Sequence, residues 1–276
     1  MFRKAQQSDL SALVKLFVQA FGGSEQFAQM VMERFAGLEN VFVAQQGEAI
    51  AASLCAVPVT LKGVQGVYYY GVCTDPEWRG KGIMTDLMKA AEEQLKAEGA
   101  QFAVLIPASA SLFDFYAQRG FQKAFAKREL VRSIPNNLWA VAEFDTITAR
   151  GLSAIRKEYK PDSVFFKKPQ AYAEILTDLY SGGLTIISTE NGYGLYFNRQ
   201  EQLTFIELFA KTDRDAEYLL QAARQKERVE TARIQLGDCQ SLMIGEGCRL
   251  DYGMIRFFGN EFNVQDCYMR LMLDDE

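Results

Sequence analysis

Strand-like and helix-like hydrophobic patterns alternate along the first half of the chain. Large apolar side chains recur three or four positions apart in residues 10–21 and 24–38, which predicts two amphipathic helices separated by Gly22 and Gly23. Alternating or continuous apolar runs, which are typical of strands, lie at residues 2–5, 41–45, 49–61 and 67–74. This part of the chain is therefore expected to form a sheet with helices packed against it.

Residues 75–82 (DPEWRGKG) interrupt the last of these strands and open a helix whose apolar stripe extends to Leu95. The short apolar run at 102–106 is typical of a buried parallel strand. Ser109 or Ser111 can cap a further helix, and residues 121–132 form a returning strand. The predicted order is β-α-α-β-β-β-α-β-α-β, a mixed sheet with helices on its faces.

The second half repeats this order more faintly. Its predicted helices lie at residues 145–159, 169–180 and 213–225. Its predicted strands lie at residues 184–189, 193–198, 203–210, 231–236, 251–258 and 265–273. The fold class is therefore expected to be α/β with a mixed sheet, in two similar domains at residues 1–135 and 136–276.

Composition and charge narrow the classes of function. The 276 residues are 49% apolar and carry a net charge of −5, with the acidic excess in the second half. Neither half has the basic surface of a nucleic-acid binder. Because the chain has neither an apolar run long enough to cross a membrane nor a signal-peptide core near Met1, we expect a soluble, cytoplasmic protein.

The chain contains no histidine. This excludes Ser-His and Cys-His catalysis, a histidine base and histidine metal ligands. The five cysteines include no C-x-x-C pair, so we expect reduced, mostly buried thiols and no metal site.

The turn at residues 75–82 is the strongest candidate for chemistry. A strand that leads through a glycine-rich turn into a helix directs unpaired backbone N–H groups and the positive helix end at one spot. Gly80 and Gly82 allow an anion to approach the backbone, and Arg79 and Lys81 add positive charge. The turn therefore predicts a phosphate or pyrophosphate site, although the P-loop and dinucleotide-binding patterns are absent.

Two motifs give this turn a context. Residues 79–84 read RGKGIM and residues 116–121 read YAQRGF. In these motifs and in predicted strand order, the first half resembles the GNAT superfamily of acyl-CoA-dependent N-acyltransferases, whose signatures are [R/Q]-x-x-G-x-[G/A] and Y-x-x-x-G-F. Met84 departs from the first signature, and Ser109 stands where many members have asparagine.

The resemblance implies a mechanism. It implies transfer of an acetyl group from acetyl-CoA to a primary amine by direct attack in a ternary complex, with Tyr116 as the general acid for the thiolate. A phenol with a pKa near ~10 is protonated at neutral pH and can donate that proton. It also implies that backbone groups at the strand edge hold the pantetheine arm, and these belong to Val72, Cys73 and Thr74. It further implies that the following residues surround the pyrophosphate: Arg79, Gly80, Lys81, Gly82, Ile83, Met84 and Thr85.

The proton acceptor for the amine has several candidates. Glu25, Glu33 and Glu39 lie in or after the early helices. The acidic residues 274–276 are another candidate, because the C-terminal carboxylate enters the N-terminal active site in the "enhanced intracellular survival" acetyltransferases, which this paired arrangement resembles. A ping-pong route through Cys73 is disfavoured because no histidine or lysine lies at a useful spacing to lower the thiol pKa.

In the tyrosine run 68–70, alternation places Tyr68 and Tyr70 on one face of the strand and Tyr69 on the other. One face is expected to contact either the acceptor or the core.

The second half lacks an equivalent turn. Residues 211–216 (KTDRDA) contain no glycine, and Asp213 and Asp215 would repel a pyrophosphate. We expect a degenerate GNAT-like domain that closes the acceptor cleft, attracts a cationic small-molecule or peptide amine, or forms a homodimer. The alternative for the whole chain is a non-catalytic protein that senses acyl-CoA or another metabolite.

Overall fold

Strands and helices form close to the predicted positions over most of the chain, and the computed structural model describes residues 1–271. The helices are α1 Leu10–Phe21, α2 Glu25–Met30, α3 Ile83–Ala97, α4 Ala110–Ala117, α5 Ala149–Tyr159, α6 Pro169–Ser181 and α7 Asp213–Glu227. The strands are β1 Phe2–Lys4, β2 Val41–Gln46, β3 Ala49–Leu61, β4 Val64–Thr74, β5 Phe102–Leu105, β6 Gln122–Ser133, β7 Glu143–Phe144, β8 Phe165–Phe166, β9 Leu184–Thr189, β10 Gly192–Arg199, β11 Gln202–Ala210, β12 Thr231–Gly237 and β13 Cys248–Phe257. The predicted fold class, a mixed sheet flanked by helices, is confirmed.

The chain divides into two compact units. Unit 1 comprises Met1–Lys123, Phe165–Glu174 and Met254–Asn263, and unit 2 takes the other residues. These units are defined by contacts in space. The division of the sequence into domains at residues 1–135 and 136–276 stays a prediction.

Unit 1 is a mixed sheet in the order β1-β2-β3-β4-β5, followed by the last residues of β13. Only β4 and β5 run parallel among these neighbours, and α3 connects them. The apolar face of α3, which includes Leu87, Met88 and Ala91, packs into a buried cluster with Leu54 and Tyr69 of the sheet. The amphipathic stripe seen in the sequence is thus the surface that fixes α3 on the sheet.

Unit 2 has the strand order β6-β12-β11-β10-β9-β7. Here β11 and β12 form the parallel pair, and α7 is the helix between them in the chain. The arrangement β11-α7-β12 therefore repeats β4-α3-β5, as the repeated order of elements predicts.

Helices start later than predicted where the expected capping side chain is used elsewhere. The predicted helix at 145 begins at Ala149, because Thr148 caps it and the Asp145 carboxylate accepts a hydrogen bond from the Ile186 N–H instead. Helix α1 begins at Leu10 as predicted, although the preceding Asp9 side chain does not cap it, because the Asp9 carboxylate pairs with the Arg3 guanidinium at 2.6 Å.

Two predicted elements differ in kind. The helix predicted over 24–38 ends as an α-helix at Met30 and continues as a π-helix over Val31–Ala36. The strand predicted over 265–273 is wrong as far as residue 271: that stretch contains a single bridge, between Ser163 and Tyr268. Consecutive residues 267–271 are all buried, so the segment lacks the alternation that a strand on a sheet surface requires.

Candidate active site

The site in unit 1 begins where two parallel strands separate. β4 pairs with β5 at Val67–Ala103 and Tyr68–Val104. From there β4 continues to Thr74, whereas β5 ends at Leu105. The end of β4 therefore extends beyond its pairing with β5, leaving a wedge-shaped opening at the edge of the sheet with the end of β4 on one side.

A bulge shapes this end of β4. On the β3 side, Cys55 pairs with Tyr70 and Ser53 pairs with Cys73, so Gly71 and Val72 together lie opposite one residue. Gly71 has a φ of +59°, a backbone conformation that favours glycine. Because a bulge twists the strand and leaves one residue unpaired, it turns the backbone of residues 72–74 relative to the rest of β4.

The turn after β4 has the open, glycine-lined form that an anion needs. Asp75 accepts a hydrogen bond from the Glu77 N–H, and a 3-10 turn at Pro76–Trp78 follows. Gly80 and Gly82 have φ values of +74° and +79°, and a Cβ at either residue would meet nothing within 4 Å. Gly82 directly precedes α3, whose first N–H groups have no partner within the helix.

The side chains of the turn are held in different ways. Arg79 Nε donates to the Thr74 carbonyl at 3.0 Å, and Lys81 Nζ lies 4.5 Å from the Trp78 ring centroid. The side chains of Ile83 and Met84 are buried in the core cluster. The bulk of Met84, the departure from the family signature, is therefore accommodated by core packing.

One cavity of about 620 Å³ brings most of the predicted site residues together. Tyr116 and nine of the ten residues predicted to hold the cosubstrate line it: Val72, Cys73, Thr74, Arg79, Gly80, Gly82, Ile83, Met84 and Thr85. Lys81, the tenth, is not among its lining residues. The cavity also has lining residues that the sequence analysis did not select: Ala20, Phe21, Trp78, Leu112, Phe115 and Arg119.

Arg119 is the most informative of these additional residues, because it occupies a variable position of the Y-x-x-x-G-F signature. Its Nε and Nη2 donate to Thr85 Oγ1 at 3.0 and 2.8 Å, and its guanidinium lies 3.4 Å from the Phe115 ring centroid. Burial lowers the pKa of Arg119, while the neighbouring Tyr116 opposes this shift. Arg119 is far from the α3 motif in the sequence, so its place in this cavity could be found only from the packing of α4 against α3.

Tyr116 lies on α4 with its side chain buried at 6% exposure. Its ring is edge-on to Phe115 and Phe121, at centroid distances of 5.2 and 5.7 Å. These rings fix the orientation of Tyr116 on the wall of the cavity.

Cys73 is unsuited to nucleophilic attack. Its Sγ lies 3.3 Å from the Ser53 Oγ, and the side chain is buried. Burial raises the pKa of the thiol to about 11, with the Ser53 hydrogen bonds and Arg79 opposing the shift. Since the thiolate is the reactive form, the thiol is essentially inert near neutral pH.

The candidate bases from the early helices do not line this cavity. Glu39 pairs with Lys168 at 2.9 Å, and this contact is the main reason that its carboxyl pKa lies below the usual value. Glu33 accepts hydrogen bonds from the Gln29 and Gln7 amides, and Glu25 is an exposed residue in the first turn of α2. The other candidates, Asp274, Asp275 and Glu276, lie outside the described residues.

The tyrosine run of β4 is divided between the two sheet faces, as its alternation predicts. Tyr70 contacts Phe17 and Phe35 on one face, whereas Tyr69 packs against Phe121 on the other. Tyr69 is therefore on the face that carries α3 and Tyr116.

In unit 2, the N-terminus of α7 is satisfied by its own side chains. Thr212 Oγ1 accepts from the Asp215 N–H at 3.2 Å and contacts the Asp215 carboxylate at 2.6 Å. Asp213 accepts a hydrogen bond from the Met243 N–H. The Thr212 cap thus occupies the Asp215 N–H of α7, whereas Gly82 at the N-terminus of α3 has no side chain that could cap that helix.

Within residues 1–271, no helix has the length and apolar character needed to span a membrane. The same part of the chain contains no cluster of three cysteine or acidic side chains that could hold a metal ion.

Comparison with known proteins agrees with this geometry. Residues 1–124 match the family model of the acetyltransferase (GNAT) domain. No curated protein matches the sequence. Residues 1–124 therefore form a domain of the GNAT type.

Solved structures extend the likeness in fold to nearly the whole chain. A probable N-acyltransferase from Enterococcus faecalis V583 has a TM-score of 0.71 at 17% identity, covering 94% of this chain and 72% of that one. Eis1 from Mycobacterium abscessus has a TM-score of 0.70 at 16% identity, covering 94% and 74%. A tandem GNAT protein from the clavulanic acid biosynthesis pathway has a TM-score of 0.54 at 12% identity, covering 95% and 99%. The fold is thus that of GNAT proteins, including a tandem one.

Proposed function

We propose that unit 1 transfers an acetyl group from acetyl-CoA to a primary amine by direct attack in a ternary complex. The GNAT domain at residues 1–124 supports acyl transfer in general. The observation that carries the finer proposal is the single cavity of about 620 Å³ shared by Tyr116, the bulged end of β4 and the glycine turn.

In this proposal the cosubstrate binds mainly through backbone groups. Val72, Cys73 and Thr74 offer theirs to the pantetheine arm in the wedge beside β4. The pyrophosphate occupies the open space in front of Gly80 and Gly82, where helix N–H groups and the helix dipole favour an anion. Arg79 and Lys81 contribute positive charge, and residues 83–85 contribute backbone N–H groups.

The chemical step then requires one protein proton donor. The amine nitrogen attacks the thioester carbonyl carbon, so a C–N bond forms and the carbonyl becomes a tetrahedral oxyanion. When the oxyanion collapses, the C–S bond breaks and the Tyr116 hydroxyl protonates the leaving sulfur. The nitrogen loses one proton to solvent and solvent returns one proton to the Tyr116 phenolate, so that the amide, the CoA thiol and Tyr116 all end neutral. Direct attack is favoured over an acyl-cysteine route because the thiol of Cys73 has a pKa of about 11.

Unit 2 has a different role in this proposal. The N-terminus of α7 is capped by Thr212 and carries Asp213 and Asp215 in its first turn, which disfavours a second pyrophosphate. We therefore assign cosubstrate binding to unit 1 alone. The acidic excess of the second half suits an acceptor with a cationic amine, either a small molecule or a peptide.

Acetyl-CoA is expected to raise the melting temperature of the protein. Ligand at ~100 times its Kd stabilises the folded state by about 2.7 kcal/mol. Acetyl-pantetheine is the matched control, because it carries the same thioester without the pyrophosphate and should give a much smaller shift. The absence of any shift at millimolar acetyl-CoA, measured by differential scanning fluorimetry, would contradict the proposed cosubstrate.

A further inference from the structure

A second cavity, of about 280 Å³, lies on the same face of the unit 1 sheet. Its lining comes from the middle of α3, from Tyr69 of β4, from residues 118–121 after α4, and from Arg256 of β13. The lining residues that it shares with the larger cavity are Thr85 and Arg119. The hydrogen bonds between these two side chains therefore lie at the boundary of the two cavities.

Two buried polar atoms at this second cavity have no hydrogen-bond partner among residues 1–271. They are the hydroxyl of Tyr69, a residue that is only 4% exposed, and Nε of Arg256. Leaving a buried donor or acceptor unsatisfied costs the desolvation free energy of that group. Both residues line the second cavity, so a group bound there is the nearest candidate partner for the two atoms.

The Arg256 guanidinium is held at its other nitrogens. Nη2 lies 2.6 Å from the Glu92 carboxylate, and Nη1 donates to the Arg119 carbonyl. A Cβ at position 120 would lie 2.8 Å from Nη1, so Gly120 is required for this approach as well as for its φ of +79°. The guanidinium is therefore fixed by these contacts, while its Nε–H has no partner in the described part of the chain.

The missing partner must be a hydrogen-bond acceptor. An arginine Nε–H can only donate. Burial and then the nearby Glu92 charge raise the pKa of the Tyr69 phenol well above its usual value, although Arg256 opposes this, so the hydroxyl keeps its proton. The Tyr69 hydroxyl and Arg256 Nε can thus both donate to a single acceptor atom or to two acceptor atoms of one ligand.

Charge favours an anionic acceptor over a neutral one. Lys89, Arg119 and Arg256 line the cavity together with a single acidic residue, Glu92. Glu92 is already engaged by Arg256 and by Lys96, at 2.6 and 2.7 Å. The volume is many times the ~30 Å³ that a water molecule takes up in the liquid, so a small molecule fits.

We propose that this second cavity binds a small oxyanion, a carboxylate or a phosphate group, that accepts hydrogen bonds from the Tyr69 hydroxyl and Arg256 Nε. The proposal does not depend on the proposed function. It assigns a ligand to a cavity that holds neither the glycine turn nor Tyr116.

The test isolates the second cavity from the glycine turn. We would measure melting temperatures against inorganic phosphate and against acetate at constant ionic strength, in the Gly82→Asp variant, whose turn repels anions. A saturable rise is expected with at least one anion. Adding Tyr69→Phe should weaken the apparent affinity about tenfold, the effect of losing ~1.4 kcal/mol of a hydrogen bond to a charged group. Without anion, Tyr69→Phe should be at least as stable as its parent, because it removes an unpaired hydroxyl.

Several results would overturn the inference. If neither anion gives a saturable rise up to about 50 mM, the cavity holds water alone. If the rise is equal with and without Tyr69→Phe, the anion binds elsewhere. If phosphate stabilises the wild type but not Gly82→Asp, the glycine turn is the anion site, and the proposed function is unaffected.

A final comparison identifies the source of the oxyanion once binding is established. In the wild type, the rise in melting temperature with phosphate would be measured in the presence of CoA and of dephospho-CoA. If CoA abolishes this rise and dephospho-CoA does not, the oxyanion is the 3′-phosphate of CoA. If the rise persists with both compounds, the oxyanion belongs to a separate anionic metabolite.

Discussion

Replacing Gly82 with aspartate is expected to weaken acetyl-CoA binding by at least about a hundredfold. The side chain would enter the open space in front of the turn, where the pyrophosphate is proposed to bind. Two like charges about 4 Å apart at an effective dielectric constant near ~20 repel by about 4 kcal/mol, and ~1.4 kcal/mol corresponds to a tenfold change in affinity. Isothermal titration calorimetry would measure the change in Kd.

Gly99→Asp is the matched control for this variant. Gly99 follows the other end of α3, has a φ of +92° and is equally open, so the change adds the same charge and a similar backbone strain. Its Kd for acetyl-CoA should stay within about twofold of the wild-type value, a free-energy difference of only ~0.4 kcal/mol. Equal weakening in both variants would mean that strain or long-range charge is responsible. The unit 2 variant Asp213→Gly should also leave the Kd unchanged.

Tyr116→Phe is expected to lower kcat about a hundredfold while leaving the Kd for acetyl-CoA nearly unchanged. The substitution keeps the ring that packs against Phe115 and Phe121 and removes only the hydroxyl. Protonation of the leaving thiolate occurs in the transition state, so its loss affects kcat and not ground-state binding. General acids contribute typically ~10²–10⁴-fold, and water can replace part of this effect.

Tyr69→Phe is the control for Tyr116→Phe, because the Tyr69 ring also packs against Phe121 and the change in atoms is identical. It should leave kcat unchanged. A loss of less than about threefold in Tyr116→Phe, below the usual range for a general acid, would make Tyr116 a packing residue. A comparable loss of acetyl-CoA affinity would instead make it a binding residue.

Local patterns predicted the parts of the site that depend on local structure. The glycine turn follows from Gly80 and Gly82 because their φ values exclude most other residues, and the helix behind it follows from the apolar stripe of residues 83–95. The second signature predicted the helix that carries Tyr116. In each case a few neighbouring residues determine the backbone, so the sequence is sufficient.

Features that depend on distant contacts could not be predicted in this way. The last residues of β13 pair with β5, although some 150 residues separate them in the chain, and nothing in residues 254–257 specifies that partner. The second cavity depends on the same pairing, because it places Arg256 beside Glu92. The segment 265–271 was misjudged for a related reason: it is buried through distant contacts such as the hydrogen bond from the Tyr268 hydroxyl to the Glu207 carboxylate, and nothing in the segment specifies that partner.

The most direct test of the central claim is an assay of acetyl transfer to a panel of amines. Purified protein would be incubated with acetyl-CoA and aminoglycosides, polyamines, amino acids or peptides, with thiol release and the mass of the product as readouts. We expect at least one primary amine to raise thiol release above the hydrolysis background and to gain one acetyl group, and Tyr116→Phe to suppress this rate. Tight binding of acetyl-CoA with no amine-dependent thiol release across the panel would contradict catalysis and favour a sensing protein.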